Sequence, residues 1–182
     1  MTTFSPREAA ALAGVPLQRI QNALTTGRLR PRRVAAGRRR VNLAELLAFA
    51  LGDRLDRIKV EPSLLYARLR GVGVPKHPLP LTDGVIVDAP RLLGPVIRNL
   101  DLYRSACEEI IASDDAILGG LPVIRGTRIP ARIVHARVKA GEPIAEIRAD
   151  YPYLTKRQIE AAVLYVEAKP QRGRPRKRRD AA

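Results

Sequence analysis

Apolar residues recur every three or four positions in two short runs near the start of the chain: Ala9, Ala10, Leu12, then Leu17, Ile20, Leu24. Each run is the pattern of a short helix with one buried face. Ser5, Pro6 and Glu8 make a capping-box start for the first, and Gly14 stops it. Pro16 opens the second and Gly27 ends it. Residues 29–34 and 38–41 flank Ala35-Ala36-Gly37 and read as a hairpin with arginines on both arms. Asn42 caps a third helix over 43–51. Helix, turn, helix, basic hairpin, helix is a winged helix-turn-helix layout.

The pattern weakens over 52–103. Residues 55–60 extend a helix or begin a strand. Pro62–Leu69 reads as a short helix, started at Pro62 or capped by Ser63. GVGVPKHPLP at 71–80 reads as a loop linking domains. Gly71-Val72-Gly73 lacks the strand–helix frame and the following GK[ST] of a phosphate loop. Val85–Val87 reads as a strand, and 90–100 as a helix or extended segment. This region, with the hairpin after it, is expected to provide dimerisation.

Organisation returns at GGLPVIRGTRIP, residues 119–130. The short run Leu121, Val123, Ile124 is rich in β-branched residues and reads as a strand. With Ile110-Ile111 and Asp114-Asp115 upstream it suggests a hairpin closed by Gly119-Gly120. Thr127 is the expected cap of a following helix, with Pro130 in its first turn. That helix carries Ile133, Val134 and Val138 on one face and stops at Gly141. A second opens at Pro143, with Ile144 and Ile147, and stops at Asp150-Tyr151-Pro152. Thr155 caps a third, with Ile159, Ala162, Val163 and Val166. The expected fold is mainly α with short β-hairpins: an N-terminal winged helix-turn-helix and a C-terminal three-helix, helix-turn-helix-like domain. The expected divisions are 1–52, a connecting region 53–107, a C-terminal domain 108–169 and a basic tail 170–182.

Charge adds a partner. The 182 residues carry a net charge of +15, and it gathers at the two ends. Residues 1–51 hold nine Lys and Arg against two acids, and 169–182 hold seven against one. Basic ends around a near-neutral middle suggest nucleic acid at the ends and protein in the middle. Aromatics are only 4%, with no Trp, so the cores are aliphatic, which favours helices. One cysteine, Cys107, permits no intrachain disulfide and fits a reducing cytoplasm. No apolar run reaches the roughly 18 residues of a membrane span, and the first ten residues lack the order of a signal peptide.

The second helix exposes Gln18, Arg19, Gln21 and Asn22 between its apolar positions. Arg, Gln and Asn make bidentate contacts to guanine and adenine edges. Arg28, Arg30, Arg32, Arg33, Arg38, Arg39 and Arg40 are placed to meet phosphates or a minor groove. A solvated basic hairpin with no ligand is the bland alternative. Neither histidine, His77 or His135, has a Cys, His or carboxylate at metal spacing, and no Ser-His-Asp or Cys-His arrangement is evident. Asp114-Asp115 reads as turn chemistry. No catalytic residue, metal or cofactor is expected.

Three resemblances sharpen this picture. The pattern at Ser5, Glu8, Ala9, Ala10, Leu12, Gly14, Val15, Ile20, Leu24, Gly27, Leu29, Arg38, Arg39 and Val41 resembles the MerR/excisionase type of DNA-binding domain. The stretch 119–131, the step 140–147 and the DYPYLT of 150–155 resemble a DUF family of VapB-type antitoxins, with Ala131 where that family often has valine. That resemblance covers roughly a third of the chain and implies the neutralising half of a toxin–antitoxin pair. It implies a PIN-like, metal-dependent ribonuclease toxin as partner. Arg125 and Arg128, flanking Gly126, either face that toxin's acidic site or brace the hairpin.

The third is the tail. Arg172-Gly173-Arg174-Pro175, followed by Arg176, resembles the AT-hook, an extended minor-groove motif. A tail that wraps the toxin and a solvated tail are the competing readings. The function expected is a cytoplasmic, dimeric antitoxin that represses its own operon by binding operator DNA. The alternatives are a stand-alone transcriptional regulator, and an enzyme or enzyme accessory domain.

Overall fold

A computed structural model describes residues 2–33, 38–55 and 60–169. The readings on Ala35-Ala36-Gly37, on most of 55–60 and on Arg172, Gly173, Arg174, Pro175 and Arg176 lie outside the described residues.

The chain is mainly helical, with short antiparallel strand pairs. It opens with β1 (Thr3–Phe4), α1 (Pro6–Ala13) and α2 (Leu17–Thr25). The capping box is present in full: Ser5 Oγ accepts from the Glu8 N–H at 3.2 Å, and Glu8 Oε2 accepts from the Ser5 N–H at 2.7 Å. Gly14 ends α1 at φ 68°, a left-handed conformation that glycine adopts without a Cβ penalty. Strands β2 (Arg32–Arg33) and β3 (Arg39–Asn42) follow, with β3 in the centre of a three-stranded sheet between β1 and β2. Asn42 caps α3 (Leu43–Arg54), its Oδ1 accepting from the Glu45 N–H at 2.8 Å.

Next come α4 (Pro62–Leu69), β4 (Leu79–Thr82), β5 (Val85–Val87) and α5 (Ala89–Ser105). Here the structure corrects one expectation and resolves another. The end of the predicted loop is strand β4, paired with β5. Pro80 lacks an N–H to give a ladder, which is why the segment reads as loop, but a two-stranded sheet has free edges that tolerate it. The segment 90–100 is part of a 17-residue helix that runs through Pro95. Gly94 has no Cβ to clash with the following proline ring, so the helix survives the lost hydrogen bond.

A π-helical turn, Ala106–Ile110, leads from α5 into β6 (Ile111–Ala112), which pairs with β7 (Val123–Ile124). Three helices complete the chain: α6 (Ala131–Lys139), α7 (Ile144–Asp150) and α8 (Lys156–Ala168). Thr155 caps α8 in a second capping box with Gln158. Thr127, however, does not cap α6, and Pro130 precedes the first turn instead of lying in it. Thr127 Oγ1 donates to the Ile124 carbonyl at 2.7 Å and accepts from the Ile129 N–H at 3.0 Å. It closes the Gly126 turn, three residues before the Pro130 cap position of the helix. Ile133, expected on the buried face of α6, is exposed, while Val134 is buried.

Buried side chains form three clusters. The first joins Phe4, Leu12, Ile20, Leu29 and Leu46 to Tyr103 of α5 and to Leu164 and Ala168 of α8. The second holds Leu47, Leu51, Leu65, Leu81 and Leu93. The third holds Ile124, Val134, Ile147, Leu154 and Ile159. Helix α1 packs on α8 as well as on α2 and α5.

Candidate nucleic-acid interface

The polar side of α2 carries Gln18, Arg19, Gln21 and Asn22, all exposed, while Ile20 and Ala23 are buried against the first cluster. Gln18 Nε2 donates to Asn22 Oδ1 at 2.8 Å, one helical turn away. Arg19 pairs with Asp53 of α3, yet stays more than half exposed. The two amides thus hold each other in a solvent-facing pair, and one arginine is held by a neighbouring helix.

The hairpin of β2 and β3, whose second strand packs on α1 and α3, has unusual pairing. Arg32 stands opposite Arg40 and Arg33 opposite Arg39 in the register of β2 and β3. Like charges directly opposite each other weaken a strand pair. Arg32, Arg38 and Arg39 are exposed. Arg40 differs: its guanidinium donates to Glu8 Oε2 at 3.0 Å and is only partly exposed. It braces the hairpin against α1. Sequence periodicity gives no sign of this, because the partner lies 32 positions away.

Glu8 is the centre of a larger network. Its Oε1 accepts from the Tyr103 hydroxyl at 2.6 Å, so α1, β3 and α5 meet at one carboxylate. Burial alone pushes the Glu8 carboxyl up, but the bonds from Tyr103 and Ser5 and the Arg40 charge outweigh it, and the group titrates below its ordinary value. Burial and the Glu8 carboxylate together drive the Tyr103 phenol up. Asn99 Nδ2 donates to the Leu12 carbonyl at 3.0 Å, a second tie between α5 and α1. Neither Tyr103 nor Asn99 has a sequence signal: each is a polar residue on a helix that the pattern barely shows.

Arg28 and Arg30, both exposed, line a cleft of about 460 Å³ between the end of α2, α3 and α4. The buried Glu45 reaches its wall and accepts from the Arg30 N–H at 3.2 Å. Burial raises the Glu45 carboxyl above its ordinary value.

The C-terminal stretch is braced by its own charged residues. Arg125 Nε donates to the Glu109 carbonyl at 2.6 Å, and its NH2 to that of Glu108 at 3.3 Å, closing the π-helical turn. Arg128 is exposed and has no hydrogen-bond or ion-pair partner among the described residues. Arg137 holds Glu142 and Asp150 together and lies over the Tyr151 ring at 5.5 Å. That contact joins the turn after α6 to the end of α7. The acidic residues of AGE and DYP are thus structural braces in this fold.

His135 of α6 is half-buried. Burial holds its imidazole below the ordinary value, against the pull of Glu167. The folded chain then binds this proton less tightly than the unfolded chain. Stability contributed by the neutral ring is complete above about pH 6.5 and falls as the pH drops through that value toward the lower folded one. Denaturant melts at pH 7.5 and 5.5 are expected to show a larger loss for the wild-type chain than for His135→Gln. Equal losses would place the acid sensitivity elsewhere.

Among the described residues no group of three or more His, Cys, Asp or Glu is arranged to hold a metal ion, and no helix is long and apolar enough to cross a membrane.

No solved structure matches the chain. An uncharacterised protein of Sinorhizobium fredii, y4eO, is 44% identical over 72 residues, which is 40% of this chain and 33% of that protein. The matched stretch thus spans a third of the relative's length. Residues 111–166, from β6 into α8, match a family model described as "Protein of unknown function (DUF433)".

Proposed function

We propose that this chain binds double-stranded operator DNA through an N-terminal winged helix-turn-helix and acts as the antitoxin of a type II pair, repressing its own operon. The DNA half rests on one observation: a hairpin with Arg32, Arg38 and Arg39 exposed, together with a helix whose exposed side offers Gln18, Arg19, Gln21 and Asn22. The helix suits base edges in a major groove, and the arginines suit phosphates. The antitoxin half rests on the resemblance of GGLPVIRGTRIP and the segments after it, and its partner is a PIN-like ribonuclease. The chain itself carries no catalysis in this reading. The tail, with its R-G-R-P, adds a minor-groove contact. A dimer fits two half-sites, and light scattering that gives a monomer both free and on DNA would remove that part.

The test has two arms. Gel shifts on the DNA upstream of the gene are expected to show that Gln21→Ala with Asn22→Ala narrows the gap between operator and unrelated duplexes, by roughly 1–3 kcal/mol per lost base contact. Co-expression with the adjacent reading frame is expected to restore growth that the neighbour alone arrests. An unchanged operator preference ends the DNA assignment. A harmless neighbour, or one that stays toxic, ends the antitoxin assignment.

A further inference from the structure

Arg19 of α2 and Asp53 of α3 form an ion pair across two helices, the arginine side chain 57% exposed and the carboxylate 23%. The cleft that both side chains border, between α2, α3 and the start of α4, measures about 60 Å³. That is far below the roughly 300 Å³ of a small-molecule site, so the pair does not serve as the wall of one.

Neither residue is explained by its own helix. Asp53 stands in the last turn of α3, at the negative end of the helix dipole, where an acid is disfavoured. An ion pair this open to water adds little to stability. A carboxylate beside a helix that meets DNA also repels phosphates. What the pair supplies is direction. Leu46, Leu47 and Leu51 are fully buried and fix α3, and Ile20 and Ala23 seat α2. Asp53 is thus an anchored post that holds the end of a long side chain on the neighbouring helix. The contact uses one terminal nitrogen of the guanidinium. A guanidinium has five N–H donors in a planar fork, so others stay available. Two of them match the O6 and N7 acceptors that guanine shows in the major groove. Gln18 and Asn22, on the same exposed side, are bonded to each other and must part to meet a base. Arg19 keeps its carboxylate while it binds.

We propose that Arg19 reads a guanine and that Asp53 is the positioning residue that aims it. This deepens the DNA-binding reading, on which it rests, by naming one base and the residue pair that selects it.

The experiment measures affinity of the full chain for the DNA upstream of the gene and for unrelated duplexes. Each guanine of the upstream DNA is replaced in turn by 7-deazaguanine, which lacks the N7 acceptor. The unaltered chain is expected to lose roughly fivefold at one guanine, or at that guanine and its two-fold mate. Arg19→Lys keeps the charge without the fork and should be indifferent to the replacement. Asp53→Ala should retain only about a twofold loss there, while its affinity for unrelated duplexes rises because an acid has left the DNA-facing side. Asp53→Asn keeps an oxygen for the guanidinium and should restore most of the sensitivity. If Asp53→Ala instead weakens binding to every duplex and lowers the melting temperature, the pair is a structural tie and the inference is overturned. Full sensitivity in Asp53→Ala or in Arg19→Lys also overturns it, as does an unaltered chain that is indifferent at every guanine, and each leaves the DNA reading standing. If the unaltered chain shows no preference for the upstream DNA, both readings fall.

Discussion

Replacing Arg38 and Arg39 together with alanine is expected to weaken binding to every duplex, operator or not, by on the order of tenfold to a hundredfold near 0.1 M salt. Both side chains are exposed on the hairpin, so the fold should survive. If each arginine neutralises one phosphate, the slope of log affinity against log salt falls by about 1.8. A salt series on operator and unrelated DNA reads this directly. Arg40 is the built-in contrast. Its guanidinium is spent on Glu8, so Arg40→Ala should appear first in the melting temperature. A double variant with an unchanged salt slope would mean that these arginines meet no phosphate.

The second large effect is expected at Glu8. Glu8→Ala removes the reciprocal half of a capping box, the acceptor of the Tyr103 hydroxyl and the counter-charge of Arg40. Lost caps cost about 1 kcal/mol and lost hydrogen bonds to a charged group about 1.5–3 kcal/mol, so the sum is on the order of 3 kcal/mol. In a chain of this size that is a drop of roughly 6–12 °C in melting temperature. The pH dependence has the sign of a depressed carboxyl: its stabilisation is complete above the ordinary value and disappears as the pH falls through the lower folded one. Glu8→Ala should therefore flatten the acid limb of a stability curve as well as lower it. Tyr103→Phe removes only one of these bonds and should show a smaller drop, about 1.5 kcal/mol. A melting temperature within a degree of wild type for Glu8→Ala would show the network to be ornamental.

The N-terminal elements were legible because their signals are local. Ser5 with Glu8, Gly14, Pro16, Gly27 and Asn42 each act within four residues, and the caps form where the sequence places them. Thr155 with Gln158 is the same case. The middle was obscure because Pro80 and Pro95 carry a breaking signal that the surroundings overrule: a free sheet edge for one, Gly94 for the other. Thr127 looked like a cap because its residue type suits one, but the Gly126 turn took its oxygen. Within the candidate site, the exposure of Gln21, Asn22, Arg38 and Arg39 follows from the apolar positions around them. The engagement of Arg40 by Glu8, and of Glu8 by Tyr103, is long-range and has no period to reveal it.

The packing of α1 on α8 has a consequence for the chain as it leaves the ribosome. The hydrophobic bed of the N-terminal helices includes Leu164 and Ala168, some 150 positions after Ala9 and Leu12. Those helices can form early, but their last apolar contacts arrive only when α8 has emerged. Closing contacts across so long a separation is slow, and surface awaiting its partner is open to chaperones and proteases meanwhile. A nascent or C-terminally clipped chain would hold its arginine hairpin on an unfinished base. The proposed grip on DNA would thereby be tied to the integrity of the far end of the polypeptide, and clipping there is expected to loosen the contact proposed for the first fifty residues.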